Sequence, residues 1–147
     1  TTLHTTGEDV IFSIHNAFVA DVSMLGKSAI SSPGNAAGGL LFGGATYDML
    51  QFHLHFPSEH AVDGALAAAE VHFVHQKPGA TGLNDLLVVG IRYTVGAQSS
   101  FLDNLGMSSS EMAISSVTFD VRAEIKPVLA HGFYAYSGSL TTPPCSE

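Results

Sequence analysis

The side chains best suited to chemistry lie in two short segments of mixed polar and apolar residues, Gln51-Phe52-His53-Leu54-His55-Phe56 and Glu70-Val71-His72-Phe73-Val74-His75. In an extended strand, successive side chains point to opposite faces. Gln51, His53 and His55 therefore share one face, and Phe52, Leu54 and Phe56 the other. Glu70, His72 and Val74 group together in the same way. If the apolar face is buried, the polar face meets water, a cavity or a ligand. Antiparallel pairing of the two runs brings His72 beside His53 and His55.

Three imidazoles converging from rigid strands form a tripod. Zinc takes three neutral histidine nitrogens at about 2.0–2.1 Å and leaves a fourth tetrahedral position open. Such a site lowers the pKa of water from about 15.7 to about 7. Each ligand's second nitrogen needs an acceptor to fix its tautomer. Gln51 and Glu70, each two residues before a histidine on the same face, are placed to serve. The plain alternative is a set of ordinary histidines on a polar sheet face. Pattern alone leaves catalytic zinc, structural metal and no metal all open. His75 faces away from His72 and reads as structural, while His4 and His131 read as surface histidines.

These side chains need a sheet to hold them. Tyr47 to Phe56 reads as a strand, broken by Pro57-Ser58, and Asp63-Gly64 is a turn signal. Ala67 to Gln76 and Leu86 to Val95 read as two more strands. Helix propensity in Ala65 to Ala69 is overridden by the period-two alternation that follows. Val10-Ile11-Phe12 and Ala17-Phe18-Val19 are rich in strand formers, and Ser31 to Gly44 reads as a loop or long hairpin connection. A short helix is expected in Ser99 to Met107, with Phe101, Leu102 and Leu105 on one face, and a helical turn at Pro127-Val128-Leu129. Phe133 to Tyr136 precede a tight Ser-Gly-Ser turn. The class is mostly β with short peripheral helices.

The 147 residues suit one domain spanning 1–147, and 46% hydrophobic content supports a core. Thirteen acidic against five basic residues, a net charge of −8, exclude a nucleic-acid-binding face and a polybasic membrane surface. No apolar run reaches the roughly 18–20 residues of a transmembrane helix. Thr1-Thr2-Leu3-His4 lacks the basic and apolar regions of a signal peptide, so none is expected. The single cysteine, Cys145, has no internal disulfide partner.

Gln51-Phe52-His53-Leu54-His55, Ser58-Glu59-His60 and Ala69-Glu70-Val71-His72-Phe73-Val74-His75 together resemble the α-carbonic anhydrase signature. Gly138-Ser139-Leu140-Thr141-Thr142-Pro143-Pro144 adds a second motif in the correct order. Pro57-Ser58-Glu59-His60 and the closing Pro-Pro-Cys-Ser-Glu are closer to bacterial, algal or plant members than to animal ones. The alignable part runs from Phe12 to Glu147 and matches poorly before Gln51.

The resemblance implies a central twisted, largely antiparallel sheet and reversible hydration of carbon dioxide to bicarbonate. It implies zinc on His53, His55 and His72, with Gln51 and Glu70 supporting the ligands. Thr141 matches the threonine that accepts a hydrogen bond from the attacking hydroxide, and Glu59 the carboxylate that accepts the threonine's own proton. His60 and Tyr136 match a buried polar pair behind the site. Val74, Val88 and Leu140 match the apolar wall where carbon dioxide rests, and Thr142 lines the opening. Residue by residue, Val74, Val88 and Leu140 read equally well as core.

The chain also departs from the family. Asn16 stands where fast members carry a proton-shuttling histidine, leaving neighbouring His15 as the candidate shuttle. Family domains usually continue past the Thr-Thr-Pro-Pro motif and include a tryptophan, whereas this chain has none. The resemblance makes Cys145 half of a disulfide whose partner lies outside the chain; a free thiol is the alternative. It also favours a secreted, periplasmic or organelle-lumen setting. Apparent truncation predicts sheet edges and apolar surface covered by further chain or a protein partner. The alternative function is therefore a carbonic anhydrase-like structural or interaction subunit with weak or no catalysis.

Overall fold

The computed structural model describes residues 2–4, 10–13, 18–25, 28–31, 39–104, 115–119, 126–141 and 145. Twelve strands and one short helix lie among them: β1 Thr2–His4, β2 Val10–Ser13, β3 Phe18–Leu25, β4 Ser28–Ser31, β5 Gly39–Phe42, β6 Ala45–His55, β7 Ala61–Val62, β8 Ala65–Leu66, β9 Ala69–Gln76, β10 Leu86–Tyr93, α1 Ser100–Asn104, β11 Ser115–Phe119 and β12 Phe133–Ala135. The main sheet runs β10-β9-β6-β4-β3-β11, with β5 joining β6 to β2. Every pairing in it is antiparallel.

β6 is the axis of the sheet. One edge pairs with β9, and the other is shared by β5 along its first half and β4 along its second. Its burial alternates as a half-buried strand requires, with Phe52 and Leu54 fully buried between partly exposed Gln51, His53 and His55. β9 is buried on both faces from Ala69 to His75, with Glu70, His72 and His75 as buried polar residues within it. The core forms on the sheet face away from His53, His55 and His72. There Phe52, Phe73 and Phe101 meet with ring centroids 5.6, 5.9 and 6.1 Å apart. Phe101 comes from α1, whose first turn is capped at Ser99, where Oγ accepts from the Leu102 N–H at 3.4 Å. Leu102 is half-buried, and Leu105 lies outside the described residues.

Sequence reading gave no strand at β1, β4, β7, β8 or β11, and at β5 it is corrected outright. Ser31 to Gly44 is not wholly a connection, because Gly39–Phe42 pairs with β6 through the turn at Gly43-Gly44. Both turn glycines have positive φ, 55° and 76°, which makes a two-residue hairpin without a side-chain penalty. Ala/Gly/Ser content masked the apolar Leu40-Leu41-Phe42 segment, whose Leu40 is 1% exposed. The Asp63-Gly64 turn closes the β7–β8 hairpin as expected, again with positive φ at both residues (52° and 77°). The expected turn at Pro127-Val128-Leu129 is helical, over residues 126–129.

Candidate metal centre and the groups around it

The β6–β9 register sets the centre. His53 lies directly opposite His72, and His55 opposite Glu70, after a bulge between Met49 and Gln51. The three imidazoles cluster with ring centroids 4.7–5.3 Å apart. One nitrogen from each of His53, His55 and His72 falls within 4.8 Å of the others.

Two of the three rings have their other nitrogen hydrogen-bonded. His53 Nδ1 is 2.8 Å from Gln51 Oε1, an acceptor, so Nδ1 carries the proton and Nε2 is the free lone pair. His72 Nε2 lies 3.0 Å from Glu70 Oε1, which frees Nδ1. His55 Nδ1 faces Glu59 Oε1 at 3.4 Å, and its Nε2 is buried without a hydrogen-bond partner. An orphaned buried nitrogen is costly unless something else satisfies it. Burial, then the neighbouring His72 and His55, lower the His53 pKa to about 4. Burial also lowers that of His55. Both rings are therefore neutral at pH 7, the form that donates a lone pair to a metal.

Glu70 is the buried anchor, 1% exposed. Its Oε2 accepts the backbone N–H groups of Glu59 at 3.0 Å and His60 at 2.9 Å, while Oε1 meets His72 Nε2 and His60 Nδ1. Burial pushes this carboxyl up, but the hydrogen bonds from His72 and His60 prevail and hold it at about 2. His60, Glu70 and His72 are also close enough to suggest a second metal group. Their facing atoms are already spent on hydrogen bonds, so no free ligand set remains there.

The loop after β6 brings Glu59 and His60 over Glu70. Ser58, 3% exposed, ties the loop down. Its Oγ donates to the His60 carbonyl at 2.8 Å and accepts from Ala67 N–H at 2.8 Å, and its own N–H donates to the Ala67 carbonyl at 3.1 Å. Glu59 Oε2 accepts the Thr141 hydroxyl at 2.9 Å and stands 3.9 Å from His72 Nδ1. A carboxylate can only accept, so Thr141 donates to Glu59 and keeps its lone pairs for a proton-bearing group.

Val74 is 7% exposed and pairs with Val88, itself 41% exposed; Leu140 is half-buried. His60 Nε2 contacts the Tyr136 hydroxyl, but the pair is not buried as expected: Tyr136 is 58% exposed. His75 is buried and turned from the cluster, as expected, with its Nδ1 3.0 Å from the Phe73 carbonyl. His131 is exposed. His15 and Thr142 lie outside the described residues. Sequence reading missed Ser58 and the His55–Glu59 contact. The i, i+4 spacing of the latter gave a weak signal.

Residues 2–147 match the family described as eukaryotic-type carbonic anhydrase. An alpha carbonic anhydrase of Arabidopsis thaliana is 37% identical over 120 residues, covering 76% of this chain and 45% of that protein. A carbonic anhydrase of Nostoc sp. is 39% identical over 106 residues, covering 69% and 38%. This chain thus spans less than half the length of these relatives. The solved alpha carbonic anhydrase of Aspergillus oryzae superposes with a TM-score of 0.78 at 29% identity, covering 97% of this chain and 61% of that one.

Proposed function

Because the chain belongs to the eukaryotic-type carbonic anhydrase family, we propose that it holds one zinc ion on His53, His55 and His72 and hydrates carbon dioxide reversibly to bicarbonate and a proton. The observation that carries this reading is the arrangement of free nitrogens. Three lone pairs converge while the opposite ring nitrogens of His53 and His72 are hydrogen-bonded, and His55 Nε2, one of two buried side-chain nitrogens without a hydrogen-bond partner among the described residues, belongs to that set. Three neutral imidazoles suit zinc, with room for a fourth ligand.

Bound there, the metal supplies Lewis acidity that makes hydroxide available near neutral pH. The protein supplies aim. Gln51 and Glu70 hold two of the rings in the tautomers that turn a lone pair inward. Glu59 fixes the Thr141 hydroxyl as an acceptor toward the site, so a nucleophile that brings a proton is oriented there and a protonless anion is disfavoured. Val74, Val88 and Leu140 offer the apolar wall against which carbon dioxide rests. The proton then leaves to solvent or buffer, with His15 the candidate relay.

The test is zinc content and carbon dioxide hydration on one purified sample, with a chelated control. One equivalent of zinc and chelator-sensitive hydration support the proposal. Zinc without hydration points instead to a carbonic anhydrase-like interaction subunit, a reading favoured by the exposure of Val88 and Tyr136. Absence of zinc binding overturns both the metal site and the mechanism.

A further inference from the structure

Gly90 lies on β10 directly opposite His72 of β9, so a side chain there would project on the histidine face. A methyl group built on Gly90 would stand 2.7 Å from Glu70 Oε1, 3.5 Å from His72 Cδ2 and 3.7 Å from His72 Nε2. The first distance is a clash and the other two are ordinary contacts. The atom that must yield is thus the carboxylate oxygen that fixes the His72 tautomer.

Whether that oxygen can yield decides the matter. A carboxylate at the end of a free side chain would swing away at little cost. Glu70 is 1% exposed, and both its oxygens are held: Oε2 by the N–H groups of Glu59 and His60, and Oε1 by His72 Nε2 and His60 Nδ1. Moving Oε1 from Gly90 therefore breaks or bends bonds to both histidines. Gly138 makes a useful contrast. A methyl there meets the Tyr136 ring at the same 2.7 Å, but that ring is 58% exposed, and yielding would cost one exposed contact with His60 rather than buried bonds to two histidines. Nothing about the φ of Gly90 calls for glycine, so the requirement is for space.

We infer that Gly90 is a positioning residue for the metal centre: its missing side chain leaves the volume in which Glu70 Oε1 meets His72. The inference rests on the zinc reading above and adds a residue that acts on the metal through Glu70 without touching it. Substitutions in the shell behind metal ligands typically cost 10–100-fold in metal affinity, and Gly90→Ala is expected in that range.

The experiment measures zinc affinity by competition with a chromophoric chelator for wild type, Gly90→Ala, Glu70→Ala and the double variant. Urea unfolding of each metal-free protein is recorded alongside. Gly90→Ala is expected to weaken zinc about 10–100-fold in the wild-type background but less than about 2-fold when Glu70 is already alanine. A general loss of sheet stability would not show that dependence on Glu70. Wild-type affinity in Gly90→Ala, or the same loss in both backgrounds, overturns the inference while leaving the proposed function intact. If Gly90→Ala does not fold alone, a double variant as stable as Glu70→Ala supports the inference, and an unfolded double variant overturns it. Should Glu70→Ala itself not fold, Glu70→Asp, with its carboxylate drawn back by one methylene, takes its place. A wild type that binds no zinc overturns the proposed function and this inference's role at the metal; the unfolding comparison still separates the packing claim from it.

Discussion

His75 gives the protein an acid-sensitive core, and the size of the effect follows from its surroundings. The ring is 3% exposed, on the core face with Phe73, and its cross-strand partners are Met49 and Leu87. Burial lowers its pKa from 6.5 to about 4, against a smaller upward pull from hydrogen bonds to the Leu87 and Phe73 backbone. The folded protein therefore keeps the ring neutral in a range where the unfolded chain has already protonated it. The stabilising contribution is complete above about pH 6.5, falls as pH drops below it, and is fully lost once pH passes below about 4. At about 1.4 kcal/mol per pH unit, the gap from 6.5 to about 4 amounts to roughly 3–4 kcal/mol, of which about 3 kcal/mol is lost by about pH 4. The perturbation is His75→Gln, which keeps an N–H donor for the Phe73 carbonyl but cannot titrate. Urea unfolding of metal-free wild type and variant is followed from about pH 7 to about pH 4. His53 titrates in the same range but is present in both proteins, so it cancels in the difference. Wild type is expected to lose about 3 kcal/mol more than the variant across that range. Parallel pH dependences would refute the reasoning.

Further outcomes are expected at Thr141, His72 and Phe73. Thr141→Ala should keep zinc but lose about 10- to 100-fold in hydration rate, because a hydrogen bond to a charged group contributes roughly 1.5–3 kcal/mol; Thr141→Ser should recover most of the rate, and His72→Ala should lose the metal. Equal hydration by Thr141→Ala and wild type sinks the orientation argument. Phe73→Ala, which empties the space between Phe52 and Phe101, should cost about 3–5 kcal/mol in urea unfolding, and a loss below about 1 kcal/mol would show that this aromatic cluster is not the core.

What the sequence disclosed follows the range of each interaction. Alternation along Gln51–Phe56 and Glu70–His75 is a local property, and it placed the histidines, their two-residue-distant acceptors and the buried phenylalanines on the faces where they are found. The turn at Asp63-Gly64 was legible because few other pairs tolerate positive φ at both positions. The β5 strand was hidden, since Gly39 to Phe42 is held by pairing with β6 and β2 rather than by its own propensity. Gly90 was hidden for a related reason. A glycine in a strand announces close approach of something, but only the β9–β10 register reveals that this is Glu70. The expected burial of His60 and Tyr136 rested on resemblance alone, and Tyr136 is exposed.

The same division by range separates the two tasks of the site. Gln51–His53 and Glu70–His72 each span two residues along a single strand, and β6 and β9 are joined by one short excursion through β7 and β8. The free nitrogens are thus set by the strand pair and its immediate loop. Thr141–Glu59 and Tyr136–His60 instead span 82 and 76 residues. They form only when the segment after β12 docks against the loop after β6, at the entropic cost of closing a long stretch of chain. Holding a metal and aiming a reactant against it therefore depend on different parts of the fold. Glu59 is where they meet, with Oε1 facing His55 and Oε2 bound by Thr141. A change that undocks the later segment leaves the three nitrogens in place and removes only the aim, whereas a change in β6 or β9 removes both.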